Sequence, residues 1–138
     1  MLDYKQFLYD ARRHLIHDIL KVVEKEGLPN ENHFLISFQT NRKDVVIPEF
    51  VRAKYPEEIT IVLQYQFENL LVEEDAFQVD LAFGGVLTTL KVPYTAITQF
   101  ADPSAQFGFV LEPQAFVEKK AEASYSPQVI DLDKYRKK

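Results

Sequence analysis

Apolar residues in the first 26 positions recur at three- and four-residue intervals. Phe7, Leu8, Ala11, Leu15, Ile19 and Val22 mark one stripe, and Ile16, Leu20 and Val23 widen it. The spacing predicts one amphipathic helix over 3–26, with Asp3 as its N-cap and Gly27, followed by Pro29, as its stop. The apolar band is wider than one sheet contact needs. Two readings fit it: the extra residues are buried in the monomer, or one face packs on the body and the other on a second copy.

Beyond Pro29 the period falls to two. Over 33–40, Phe34, Ile36 and Phe38 alternate with Leu35, Ser37 and Gln39, as in a strand. A short strand is expected at 45–47, stopped by Pro48. A longer one is expected over 59–67, with Ile59, Ile61, Leu63, Tyr65 and Phe67 on one side and Thr60, Val62, Gln64 and Gln66 on the other. The stretch 77–83 repeats the design, setting Phe77, Val79, Leu81 and Phe83 opposite Gln78, Asp80 and Ala82. Gly84 and Gly85 supply the positive φ angles of a tight hairpin, with 86–92 as the returning strand. A turn or single helical segment is expected over 93–100, a second turn at Asp102-Pro103, and a last strand over 106–111. No helix-length crossover separates the strands, so antiparallel pairing is expected. The predicted class is α+β, mainly β: an N-terminal helix partly covering a curled antiparallel sheet or small open barrel.

Residues 118–127 (EKKAEASYSP) are rich in charge and small side chains and offer little to bury. After them, 128–138 (QVIDLDKYRKK) form a short apolar and basic word. The predicted organisation is therefore a domain over 1–117, a flexible linker over 118–127 and a tail motif over 128–138. An apolar cluster beyond such a leash has no home in its own core, so it reads as a docking element for another protein. A ten-residue flexible linker reaches on the order of 15–20 Å root mean square.

Composition narrows the class. The chain has 138 residues, eleven Phe, seven Tyr and no Cys, which excludes disulfides and thiol chemistry and fits a reducing compartment. No apolar run approaches the roughly 20 residues of a membrane span. The polar, helix-patterned start does not read as a signal peptide, so a soluble cytoplasmic protein is expected. From Glu118 onward there are six basic and four acidic residues, so the net charge of −5 divides into a body of −7 and a tail of +2. An acidic body argues against nucleic-acid binding, which needs a basic surface.

The search for chemistry is nearly empty. Four glycines, Gly27, Gly84, Gly85 and Gly108, form no phosphate loop. His14 and His17 sit three apart on the helix, a spacing metals can use, but no third ligand was found beside them in sequence. They read as solvated or interface histidines, and no metal site or cofactor is expected. Glu57-Glu58 and Glu73-Glu74-Asp75 read as solvated connectors rather than general acids. Gln64 and Gln66 stand out within an apolar strand. A glutamine amide offers donors and an acceptor together, which suits an extended peptide backbone. The face they share with Val62, near Gln78, Asp80 and Ala82, is either a partly apolar peptide groove or an ordinary exposed sheet face. No enzyme emerges.

These residues carry a resemblance. The words KYPEEITIVLQYQF at 54–67, FQVDLAFGG at 77–85 and LKVPYTAITQFADPSAQFGF at 90–109 resemble the SspB (stringent starvation protein B) family, especially its alphaproteobacterial branch. The helical beginning and the ending LDKYRKK also fit. The resemblance implies an adaptor of the ClpXP protease: a homodimer with an open Sm-like barrel body that holds the ssrA degradation tag. It implies a tail that docks on the N-terminal zinc-binding domain of ClpX. It gives the tag groove to Gln64, with Val62, Gln66, Asp80 and Ala82 beside it. The tail role falls to Val129, Ile130, Leu132, Tyr135, Arg136, Lys137 and Lys138. The dimer contact falls to the helix, through Leu8, Leu15, Ile16, Ile19, Leu20 and Val23. The competing readings are a general peptide-binding module with another partner and an Sm-like RNA-associated protein.

Overall fold

The computed structural model describes residues 2–29, 31–65 and 67–113. The expected linker and tail, 118–127 and 128–138, lie outside the described residues, as does Gln66. Helix α1 spans Tyr4–Glu26, and the Asp3 carboxylate accepts from the Gln6 amide at 3.1 Å, the N-cap expected of that residue. At the other end Gly27 takes φ 86°, a conformation that costs glycine little, and its N–H reaches the Val23 carbonyl at 2.8 Å.

Seven strands follow in two antiparallel sheets. Strands β1 (Phe34–Gln39), β2 (Glu58–Leu63), β6 (Ile97–Asp102) and β7 (Phe107–Val110) form one sheet in the order β2-β1-β6-β7. Strands β3 (Glu68–Val72), β4 (Ala76–Phe83) and β5 (Val86–Pro93) form the other in the order β3-β4-β5. The two sheets do not close into one barrel; a single bridge from Val46 to Lys91 extends β5 at its outer edge. The expected β4–β5 hairpin is present. Gly84 and Gly85 have φ of 58° and 84°, the two positive values that fit the twist of the flanking strands.

Inward side chains of both sheets and the inner stripe of α1 meet in one core. Phe38, Phe77 and Phe100 are its largest wholly buried members, joined by Ile16, Leu20, Ile36, Leu63 and Leu90. Backbone groups at the helix–sheet contact are satisfied from α1. Glu24 accepts from the Val72 amide at 2.8 Å, and Lys21 donates to the Val72 carbonyl at 3.2 Å. Tyr94 lies under the same helix, its hydroxyl donating to the Glu73 carbonyl at 3.1 Å. Burial, helped by Glu24, Glu73 and Asp75, pushes its phenol well above the ordinary range.

Three expectations need correction. The strand over 59–67 stops at Leu63. Tyr65 takes φ 51°, and the chain crosses to the second sheet and resumes as β3, which the sequence pattern did not reveal. The strand at 45–47 shrinks to the Val46 bridge, and after Pro48 the chain forms α2 (Glu49–Lys54), too short to show a helical period. The segment 93–100 contributes only one 3₁₀ turn, Tyr94–Ala96, before becoming β6. A register shift opposite Ser37 and Phe38 spaces the buried residues of β6 at 97, 100 and 102, so alternation was never visible there.

The turn after β6 is pinned by Asp102, which is almost fully buried. Its carboxylate accepts from Asn32 Nδ2 at 2.6 Å, from Ser104 Oγ at 2.6 Å and from the Ser104 amide at 3.1 Å. Burial alone would raise this carboxyl, but the hydrogen bonds from Ser104, Asn32 and the His33 backbone together hold it below the usual range. Asp102→Ala is expected to cost about 1–3 kcal/mol in urea denaturation at neutral pH. Because the folded carboxyl titrates below its unfolded value of about 3.9, its stabilisation is complete above that value and is lost as pH falls through the folded one. The difference between wild type and variant therefore narrows at low pH.

Candidate functional site

Strand β2 is the outermost strand of its sheet and pairs only with β1 among the described residues, from Phe34↔Leu63 to Gln39↔Glu58. Its inward positions Ile59, Ile61 and Leu63 are buried, so alternation turns Thr60 and Val62 outward, and Val62 is 48% exposed. Pairing places Val62 beside Leu35, Leu35 beside Ala101 and Ala101 beside Gly108. The outer face thus carries an apolar row flanked by a polar one of Thr60, Ser37 and Gln99. Gly108 is required there, since a Cβ would meet the Ala101 Cβ at 2.9 Å. Gln64 follows directly, half-buried in the bend where the chain leaves this sheet.

The face expected to unite the candidate groove residues is divided between two sheets. Val62 belongs to the four-stranded sheet, whereas Asp80 and Ala82 lie on the outward face of β4 in the three-stranded one. Ala82 is exposed beside Leu87. Asp80 is already engaged: Asn69 Nδ2 donates to one oxygen at 2.7 Å and Thr89 Oγ1 to the other at 2.7 Å. The hydrogen bonds from Asn69 and then Thr89 hold its carboxyl below the usual range. Asp80 thereby ties the irregular start of β3, where Asn69 has φ 54°, to β4 and β5.

Helix α1 has two different faces. Ile16 and Leu20 are 0% exposed and Val23 is buried, so these three expected dimer residues belong to the protomer's own core. Ile19 is partly buried against it. On the opposite side Tyr4, Leu8, Ala11, Leu15, Asp18 and Val22 alternate at four- and three-residue steps, and all are exposed. That is the spacing of a helix–helix seam with one polar position. Arg12 and Arg13 flank it and fasten the helix to the end of the sheet, donating to the Val110 carbonyl at 2.8 Å and the Glu112 carbonyl at 2.7 Å.

The histidine pair has a third neighbour that the sequence reading passed over. Asp18, four residues after His14, faces both imidazoles; the i, i+4 spacing was the available signal. Of the carboxylate runs, Glu73, Glu74 and Asp75 form an exposed connection, with Glu73 3.3 Å from Lys91. Glu57 is exposed outside the strands, while Glu58 begins β2. No helix among the described residues is long and apolar enough to cross a membrane. The tail candidates Val129, Ile130, Leu132, Tyr135, Arg136, Lys137 and Lys138 lie outside the described residues.

Comparison with known families matches residues 7–135 to the model described as SspB, Stringent starvation protein B. No curated protein matches the chain.

The two helix faces predict different mutational costs. Leu20→Ala should lose about 2–5 kcal/mol, because it opens a cavity in the core. Leu15→Ala should lose less than about 1 kcal/mol. Urea denaturation at low chain concentration measures both.

Proposed function

The chain belongs to the SspB family, and from that membership we propose that it is a non-enzymatic adaptor that brings ssrA-tagged proteins to the ClpXP protease. The family match runs through body and tail alike, from residue 7 to residue 135. The observation that carries the reading is the edge of β2, which among the described residues has a strand neighbour on one side only.

An unpaired edge presents backbone N–H and C=O groups in the spacing of another strand. An extended tag adding to it would gain main-chain hydrogen bonds, while pockets beside the edge would read alternate side chains. Val62 offers an apolar contact there, and Gln64 offers amide donors and an acceptor at the end of the strand. Gln66, outside the described residues, is proposed as a second amide for the tag. Ala82 and Asp80 border the tag from the second sheet, with Asp80 acting mainly through the β3 segment it holds.

The exposed seam of α1, through Leu8 and Leu15 with Tyr4, Ala11 and Val22, pairs with a second copy. Each chain then contributes one tag site and one tail. The tail, through Val129, Ile130, Leu132 and Tyr135 with the basic Arg136, Lys137 and Lys138, docks on the N-terminal zinc-binding domain of ClpX in the cytoplasm. Four apolar side chains make a contact well below the ~1,200 Å² of a stable complex, so each docking is weak. Two tails on one dimer make the second docking intramolecular, and avidity gains roughly 10²–10⁴-fold if both can bind together. Weak single contacts leave the cargo free to pass on.

Gln64→Ala is expected to weaken binding of an ssrA peptide by about 1–3 kcal/mol in calorimetry. Deleting 128–138 should leave that affinity intact while abolishing the enhanced degradation of a tagged substrate. Joint loss of both activities on deletion would refute separate modules, and unchanged peptide affinity in Gln64→Ala would move the tag away from the β2 edge. Replacing both Leu8 and Leu15 with Glu should convert the protein to monomer in sedimentation without unfolding it.

A further inference from the structure

We propose that His14, His17 and Asp18 form a binding site for a divalent transition-metal ion of the zinc class on the exposed side of α1. Side chains three and four residues apart on a helix meet one turn along, so His14 faces both His17 and Asp18. One donor atom from each lies within 4.8 Å of the others. The Asp18 carboxylate stands between the imidazoles, with Oδ2 3.3 Å from His14 Nε2 and Oδ1 3.0 Å from His17 Nδ1. Two donors bonded to one tetrahedral zinc ion at about 2.0–2.2 Å are themselves roughly 3.4 Å apart. The two histidine–carboxylate separations are close to that value, and the three donors need only small rotamer changes to converge on one ion.

The surroundings favour an ion over a competing side chain. Lys21, one turn further along, is directed to Glu24 at 3.1 Å and to the Val72 carbonyl at 3.2 Å. Arg13 is directed to Asp10 at 3.2 Å and the Glu112 carbonyl at 2.7 Å. Neither neutralises Asp18. The two imidazole rings are nearly parallel, 17° apart with centroids at 5.8 Å. His17 is further seated edge-on against the buried Tyr94 ring, at 6.0 Å and 84°. One of the three donors is thus held by the core before any ion arrives, which lowers the ordering cost of binding.

Two imidazoles and one carboxylate suit zinc and its first-row neighbours rather than magnesium or calcium, which take oxygen ligands. Three protein donors leave one tetrahedral position, filled by water on a single chain. All three donors come from one helix of one protomer, and Asp18 is the polar position of the seam that the proposed function pairs with a second copy. A bound ion would lock the middle turns of α1 and stabilise the fold in proportion to its occupancy.

Calorimetric titration of the untagged full chain with ZnCl2, and in parallel with MgCl2, tests this. The expected result is saturable zinc binding at one ion per chain, no magnesium binding, and a thermal midpoint that rises with zinc concentration. The His14 side chain is 74% exposed, so His14→Ala removes a donor without touching the core. It should weaken zinc binding at least about tenfold, and His17→Gln should do the same. With chelator present, a His14→Ala midpoint equal to wild type assigns that loss to the ligand and not to the fold. Absence of saturable zinc binding, or an undiminished affinity in His14→Ala, would overturn the proposal.

Discussion

Two short sheets that share almost no backbone pairing must be held together by side chains, and the rest of the molecule answers to that constraint. Within each sheet, hydrogen bonds fix the strands. Between the sheets no named strands pair among the described residues, and the Val46–Lys91 bridge only ties the 40–48 connection to β5. Cohesion therefore rests on apolar burial: Phe38 and Phe100 from one sheet, Phe77 from the other, and Ile16 and Leu20 from the helix. Helix α1 closes the open side of this core and also serves the end of β3 through Lys21 and Glu24. An unclosed arrangement leaves strand edges, and an edge is a surface that another chain can extend.

The polar clusters follow from the same arrangement. At several places where the chain breaks regular pairing, a side chain meets the backbone or fixes the turn. Asp102 does so after β6, and Asp80 holds the irregular start of β3. Arg42 clamps the 40–48 connection through Asp44, with both nitrogen–oxygen contacts at 2.8 Å. Arg52 donates to the Thr40 and Val45 carbonyls of the same loop, each at 2.8 Å. These groups are well described as fasteners of the scaffold. Val62, Gln64, Leu8 and Leu15 are not among these fasteners, and the proposed function assigns them to partners.

A helix with apolar residues on two sides poses a question that periodicity cannot answer. Both stripes of α1 repeat at three- and four-residue steps, so sequence alone gave no reason to separate Ile16 and Leu20 from Leu8 and Leu15. Packing separates them, because a cylinder can press only one side against a sheet. The same holds for Asp18. Its spacing from His14 was legible, but its place between two imidazoles required the rotamers of three side chains.

Much of the fold was written in local patterns. The first helix with its Asp3 cap and Gly27 stop, β1, the β4–β5 hairpin with its paired glycines and the closing strand β7 could all be read directly, because each is governed by neighbours in the chain. The mainly β class followed from those elements, and the family resemblance from the words at 54–67, 77–85 and 90–109. What tertiary structure decided was where the chain changes sheets. The break at Tyr65, the bulge that hides β6, the reduction of 45–47 to one bridge and the separation of Val62 from Asp80 all depend on contacts between distant segments. Hydrophobic period reports which side of a strand is buried; it carries no information about which sheet buries it.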